Sequence, residues 1–185
     1  MINKLTTKDY IEMSAREMLS NSEITNVTVK DICDNCNIST RTFYKYYRDK
    51  YDVINKCLDS KLEEFYDQSV ENINLRSFLI YTTSIVNDHI PFYENVFRYT
   101  GQNNIRSYLV KPLSANYLRI IRDYCNAEIT PEIENAVNIF ILGQLAYVEE
   151  ALTRTTIPGN EESVAYFECG IPACLMPFFD TDYKK

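Results

Sequence analysis

Four cations, Arg41, Lys45, Arg48 and Lys50, fall within residues 39–50 against the single anion Asp49, in a chain whose formal net charge is −7. Thr40, Thr42, Tyr44 and Tyr46 alternate with them, and Thr28 and Lys30 stand a short distance upstream. These residue types suit a polyanion. Cations neutralise phosphates, and hydroxyls donate to phosphates or to base edges. An arginine such as Arg41 can take a guanine bidentately, and a threonine methyl can touch thymine. A basic face on an ordinary solvated helix is the plain alternative, and only the elements that carry these side chains separate the two readings.

The flanking sequence supplies such elements. Thr28 followed by Asp31 is a helix N-cap with an acid at the third position, which satisfies free amides and suits the helix dipole. It predicts a helix over 29–36 with Ile32 facing inward beside Val29 and Cys33 or Cys36. Asn37 stands where the chain must reverse, and asparagine tolerates the left-handed conformation best after glycine. Ile38 is an apolar anchor and Ser39 caps a second helix. On that helix Phe43 and Tyr47, four residues apart, share the buried face. Thr40, Arg41, Thr42, Tyr44, Lys45 and Tyr46 are left outward, and Asp49 caps a further helix starting near Lys50. Helix, tight turn and helix is the arrangement that offers one short helix to the major groove of DNA. Thr28, Lys30, Thr40, Arg41, Thr42, Tyr44, Lys45, Tyr46 and Lys50 are therefore the candidate DNA-binding residues.

The run Thr-Val-Lys-Asp-Ile-Cys at 28–33 and the run from Asn37 to Ile54 resemble the DNA-binding domain of TetR/AcrR-family transcriptional regulators, and Asp9 to Leu19 resembles that family's first helix. The resemblance covers residues 6–56. It departs from the family at Cys33 and Cys36, where small residues such as alanine are usual, and at Asn37, where glycine is usual. It implies an all-α fold, with an N-terminal three-helix helix-turn-helix domain at 1–52 and a helical effector-binding and dimerisation domain at 53–185. It also implies a homodimer formed through the last two long helices, acting as a repressor on a pseudo-palindromic double-stranded DNA operator and modulated by a small-molecule effector.

Composition agrees with this division. Residues 1–60 hold nine basic and nine acidic side chains, and residues 61–185 hold ten and seventeen, so the second part carries the whole of the −7. An acidic body repels DNA and leaves the basic helix to engage it. No apolar run approaches the ~18 residues of a membrane helix, and the start, Met1-Ile2-Asn3-Lys4-Leu5, has no signal-peptide pattern. The chain reads as cytoplasmic. One histidine, His89, and the lack of a Ser/His/Asp set, a phosphate loop or paired metal ligands argue against an enzyme. No cofactor and no metal are expected. Of six cysteines, Cys33 and Cys36 form a C-x-x-C, which raises a thiol-based redox sensor as the alternative; helical spacing already explains both as small packing residues.

Beyond residue 60 the pattern is helical throughout. Helices are predicted over 50–70, from Leu75 to near His89, from Pro91 to Phe97, from Asn104 to about Tyr124 with a kink or break at Pro112, from Pro131 to Arg154, and from Glu161 to Pro172. The helix from Pro131 is apolar around much of its circumference and carries Gly143 and Ala146, small enough for close approach by another helix. It is the expected dimer element, with Val164, Phe167, Ile171, Leu175 and Phe178. Fifteen tyrosines, many in this body, supply flat apolar rings with polar tips, useful in a small-molecule pocket. Inward phase with a polar tip selects Tyr81, Ile85, His89, Phe97, Tyr108, Tyr117 and Gln144 as candidate effector contacts.

Overall fold

The computed structural model describes residues 5–67, 73–154 and 158–179, and these contain helices and no strands. The helices are α1 (Thr7–Asn21), α2 (Val29–Asn35), α3 (Thr40–Phe43), α4 (Lys50–Asp67), α5 (Leu75–Asn87), α6 (Ile90–Phe97), α7 (Ile105–Arg119), α8 (Pro131–Ala151) and α9 (Asn160–Glu168). A π-helical turn, Ile120–Tyr124, extends α7, and a 3-10 segment, Ala173–Phe178, follows α9. The extension of α4 expected to residue 70 falls outside the described residues.

Local chemistry sets most of the helix starts. Thr6 with Asp9, and Thr28 with Asp31, form reciprocal capping boxes at α1 and α2. Asn74 and Ser77 form another at α5, which the sequence reading did not anticipate. Thr130 accepts from the Ile133 amide at the start of α8, with Pro131 in the first turn. The Thr28 hydroxyl and amide hold the Asp31 carboxyl below its usual range. A carboxylate with a lowered folded-state pKa contributes stability above the unfolded value, here near 3.8, and loses it as pH falls through the folded one. Asp31→Asn should therefore lower stability at neutral pH and flatten its acid limb below pH 4 or so, as read by thermal unfolding from pH 3 to 7.

Two expectations about prolines and ends resolve differently. Pro112 lies inside α7 and does not interrupt it; the Asn116 amide donates to the Pro112 carbonyl at 2.8 Å. The last helix does stop before Pro172, and α8 ends at Ala151, three residues short of Arg154.

The chain divides into two compact units, residues 1–60 with 89–105 and residues 61–88 with 106–185. The division expected from the sequence at 52/53 is drawn differently here, because α6 packs on α1. Asn95 donates to the Leu19 carbonyl at 2.9 Å, and an Arg16 guanidinium nitrogen lies 3.3 Å from His89 Nε2. In the first unit Ile11, Leu19, Ile32, Phe43 and Val53 are completely buried. In the second, a ladder of rings forms the core. Phe65 and Phe78 lie 5.1 Å apart, Phe78 and Tyr117 5.2 Å, Tyr117 and Phe140 6.0 Å, and Phe140 and Phe179 5.6 Å, all edge to face. That geometry suits the aromatic quadrupole.

Candidate nucleic-acid interface

The surface is built on the turn between α2 and α3. Asn37 adopts φ 55°, the left-handed conformation. Its amide bonds the Asp34 carbonyl, and the Ile38 amide bonds the Cys33 carbonyl at 3.0 Å. This pair of bonds is a Schellman closure, which satisfies the last carbonyls of α2 and turns the chain through its sharp reversal. Ser39 then accepts from the Thr42 amide at 3.1 Å, capping α3. Regular α-helix covers only Thr40–Phe43, but turn bonds from the amides of Tyr44 to Tyr47 carry the winding onward. Phe43 and Tyr47 both point into the core with ring centroids 5.7 Å apart, as their spacing requires. The Tyr47 hydroxyl donates to Glu12 Oε1 at 2.6 Å, and the Ser14 hydroxyl donates to the Ile32 carbonyl at 2.8 Å, so α1 braces both helices from behind.

With those two rings inward, Thr40, Arg41, Tyr44, Lys45 and Tyr46 are exposed and Thr42 is half-exposed. Tyr44 is 59% and Tyr46 42% accessible, so both rings are free to lie against a partner. Thr28 and Lys30 are exposed at the start of α2, although the Thr28 hydroxyl is already engaged with Asp31 and that of Thr42 lies 3.0 Å from Ser39 Oγ. Among the described residues no ion pair engages Lys30, Arg41 or Lys45. Arg48 is different, pairing with Asp52, as does Lys56. Lys50, expected to contact phosphate, is engaged inside the chain. Its ammonium donates to the carbonyls of Ile24 and Val27, and its burial pushes the amine down.

Residues 13–57 match the family described as bacterial regulatory proteins, tetR family. The match covers the end of α1, the helix-turn-helix and the start of α4. Solved structures share the fold at low identity. The dihydroxyacetone kinase operon activator DhaS is 13% identical with a TM-score of 0.70, over 95% of this chain and 99% of its own. A putative TetR-family regulator from Syntrophomonas wolfei is 16% identical with a TM-score of 0.56, over 91% and 94%. GusR of Salmonella enterica is 15% identical with a TM-score of 0.50, over 91% and 99%. No curated protein matches. The chain is thus all-α among its described residues, with an N-terminal helix-turn-helix similar to that of TetR-family regulators.

The helices beyond residue 60 hold the other candidates, and the structure does not gather all of them. His89 and Phe97 lie in the first unit, with α1 and α6. Tyr81, Ile85, Tyr108, Tyr117 and Gln144 lie in the second. Of these, Tyr117 and Gln144 meet directly: the phenol donates to Gln144 Oε1 at 3.1 Å, both side chains are buried, and burial raises the phenol strongly. The Tyr81 hydroxyl donates to the Lys61 carbonyl at 2.7 Å, and burial pushes that phenol up to about 12. Gln102 and Asn103 are exposed, and Asn104 donates to the Gly101 carbonyl, a turn before α7.

The thiol alternative finds no support in the geometry. Cys33 is buried, Cys36 donates to the Ile32 carbonyl at 3.1 Å, and burial raises both thiols, away from the reactive thiolate. Among the described residues no group of three or more His, Cys, Asp or Glu side chains could hold a metal ion, and no helix is long and apolar enough to cross a membrane.

Proposed function

We propose that the protein is an operator-binding homodimer that represses transcription and is released by a small molecule taken up in its second unit. The observation that supports DNA contact is the single outward set on the reversal: exposed Thr28, Lys30, Thr40, Arg41, Tyr44, Lys45 and Tyr46, with Thr42, above a fully buried Phe43 and Tyr47. Two such surfaces on a dimer must stand about 34–36 Å apart to enter successive major grooves. An effector that prefers another arrangement of the body would spoil that spacing through its differential affinity for the two states. DhaS, which has a similar fold, is named an operon activator, and activation is the second reading. Transcription from a promoter bearing the selected site, with and without the protein, decides the sign.

Assembly is proposed through α8 and α9. Ile139 and Leu142 of α8 and Tyr166 of α9 are 67%, 46% and 47% accessible, an apolar surface that a second copy would cover. Val164, Phe167, Leu175 and Phe178, also expected at the interface, are instead buried within the chain. The exposed outer side of α8, around Gly143 and Ala146, is the proposed contact surface.

For the effector, Tyr81, Ile85, Tyr108, Tyr117 and Gln144 are the proposed contacts. An apolar ligand with one polar group would take the Tyr117–Gln144 hydrogen bond as its own. Thermal-shift screening reads such binding, because a ligand of the native state raises the melting temperature by mass action. A duplex selected from a random library and footprinted with the protein should show two protected half-sites centred about one helical turn apart. Any compound that raises melting should release that duplex. A single protected half-site, or melting shifts with no effect on DNA binding, would overturn the corresponding part of the reading.

A further inference from the structure

We propose that Lys50 is a positioning residue for DNA binding and not a DNA contact: its ammonium clamps the segment leading into α2 onto the start of α4. The proposal rests on the DNA-binding reading above. Lys50 is the first residue of α4, and its Nζ donates to two main-chain carbonyls, those of Ile24 and of Val27, the latter at 2.6 Å. Both carbonyls belong to residues whose side chains are nearly completely buried, Ile24 at 3% and Val27 at 1% accessibility. The side chains anchor the segment in the core, and the carbonyls are left facing α4. Between α1 and α2 this segment has one internal turn bond, from the Asn26 amide to the Glu23 carbonyl. A buried carbonyl without a partner is costly, and a charged donor satisfies it more strongly than a neutral one.

The clamp acts one residue before the helix. Val27 is followed by Thr28, the N-cap of α2, so fixing the Val27 carbonyl fixes the chain as it enters the capping box. The axis of α2 then sets the Asn37 reversal, and the reversal sets the exposed face of residues 40–46. Both ends of the helix-turn-helix are held to one frame, because α4 begins directly after it.

The charge is also matched inside the protein. Asp31 of the α2 capping box and Asp49 before α4 both act on the ammonium electrostatically, and the Tyr51 ring lies beneath it, 5.5 Å from Nζ. To reach a phosphate, Lys50 would have to leave two carbonyls. Arg41 and Lys45, which no ion pair holds among the described residues, have no such cost.

The test uses the full chain and a duplex selected by the wild type from a random library. A lysine that contacts phosphate contributes about 0.9 to the slope of log K against log[salt], so about 1.8 in a dimer. Lys50→Met keeps the apolar stem and removes the donors, and Lys50→Gln keeps a single shorter donor; both are neutral. Under the clamp, both bind the duplex more weakly, Lys50→Met by about tenfold, at a temperature where circular dichroism shows them fully folded. Both keep the wild-type salt slope. The amides at the start of α2 exchange faster in the free variants than in the wild type. Lys50→Arg, which restores a charged donor, recovers most of the affinity. A slope shallower by about 1.8 with unchanged amide exchange would overturn the clamp in favour of a phosphate contact, and wild-type affinity in Lys50→Met would overturn it outright. Failure of the wild type itself to select any duplex would strike the DNA-binding reading instead, and would be seen before any variant is made.

Discussion

Replacing Arg41 and Lys45 together by alanine should abolish binding to the selected operator while leaving the melting temperature within a degree or two of wild type, since surface changes away from packing or caps usually cost under about 0.5 kcal/mol. Both side chains are exposed, and among the described residues neither is in an ion pair. Their removal therefore leaves no buried group without a partner. Their loss on DNA is of two kinds. If Arg41 takes a guanine bidentately it contributes about 1–3 kcal/mol of discrimination, and in a dimer that counts twice, about 2–6 kcal/mol. Lys45, as a phosphate contact, contributes about 0.9 to the salt slope for each subunit. The single variants separate the two. Arg41→Ala should relax base preference at one position in each half-site. Lys45→Ala should weaken all sequences alike and reduce the salt slope. Competition binding with selected and mixed-sequence duplexes at several salt concentrations reads both effects. Undiminished affinity in the double variant would remove residues 40–46 from the interface.

What made this surface readable in advance was its locality. Thr28 with Asp31, Asn37, and Ser39 with Thr42 each settle a backbone choice within three residues, and all of them appear in the structure as their types require. Phe43 and Tyr47 follow from helical spacing alone. Lys50 could not be read this way. Its type and neighbours are those of a phosphate contact, and what decides its role are carbonyls 23 and 26 residues upstream. The placement of α6 was hidden for the same reason. Periodicity shows that Val96 and Phe97 are buried, but the partner helix, α1, is identified by long-range contacts such as Asn95 reaching Leu19 across 76 residues. Val164, Phe167, Leu175 and Phe178 repeat the lesson at the other end, since an apolar face looks the same whether its own chain or a second copy covers it. The effector site was least legible. Tyr81 and Tyr117 have the amphipathic character that a pocket uses, yet each polar tip already has an intrachain partner. Phenols that close a helical core and phenols that await a ligand share one sequence signature.

Assembly offers the sharpest single substitution. Gly143 lies on the outer side of α8, between exposed Leu142 and exposed Ala146, and a Cβ added there would meet nothing within 4 Å. A side chain at this position therefore costs the isolated chain nothing in packing. In a helix interior glycine is about 1 kcal/mol less favourable than alanine, so Gly143→Glu should leave the folded monomer as stable as wild type or slightly more so. In the proposed dimer the same change acts in the opposite direction. Close helix approach at Gly143 would bury a carboxylate without a partner, at a cost of several kcal/mol, and symmetry would bring two such charges to one contact. Sedimentation should show the wild type as a dimer and Gly143→Glu as a folded monomer with undiminished helix content. Operator binding should fall with assembly, because a single head retains only half of the base and phosphate contacts. Gly143→Ala, which adds only a methyl group, should show an intermediate loss if the helices touch at this point. A Gly143→Glu protein that sediments as a dimer would place the interface on another surface. A monomeric variant that still protects both half-sites would show that the two heads bind without being joined through α8.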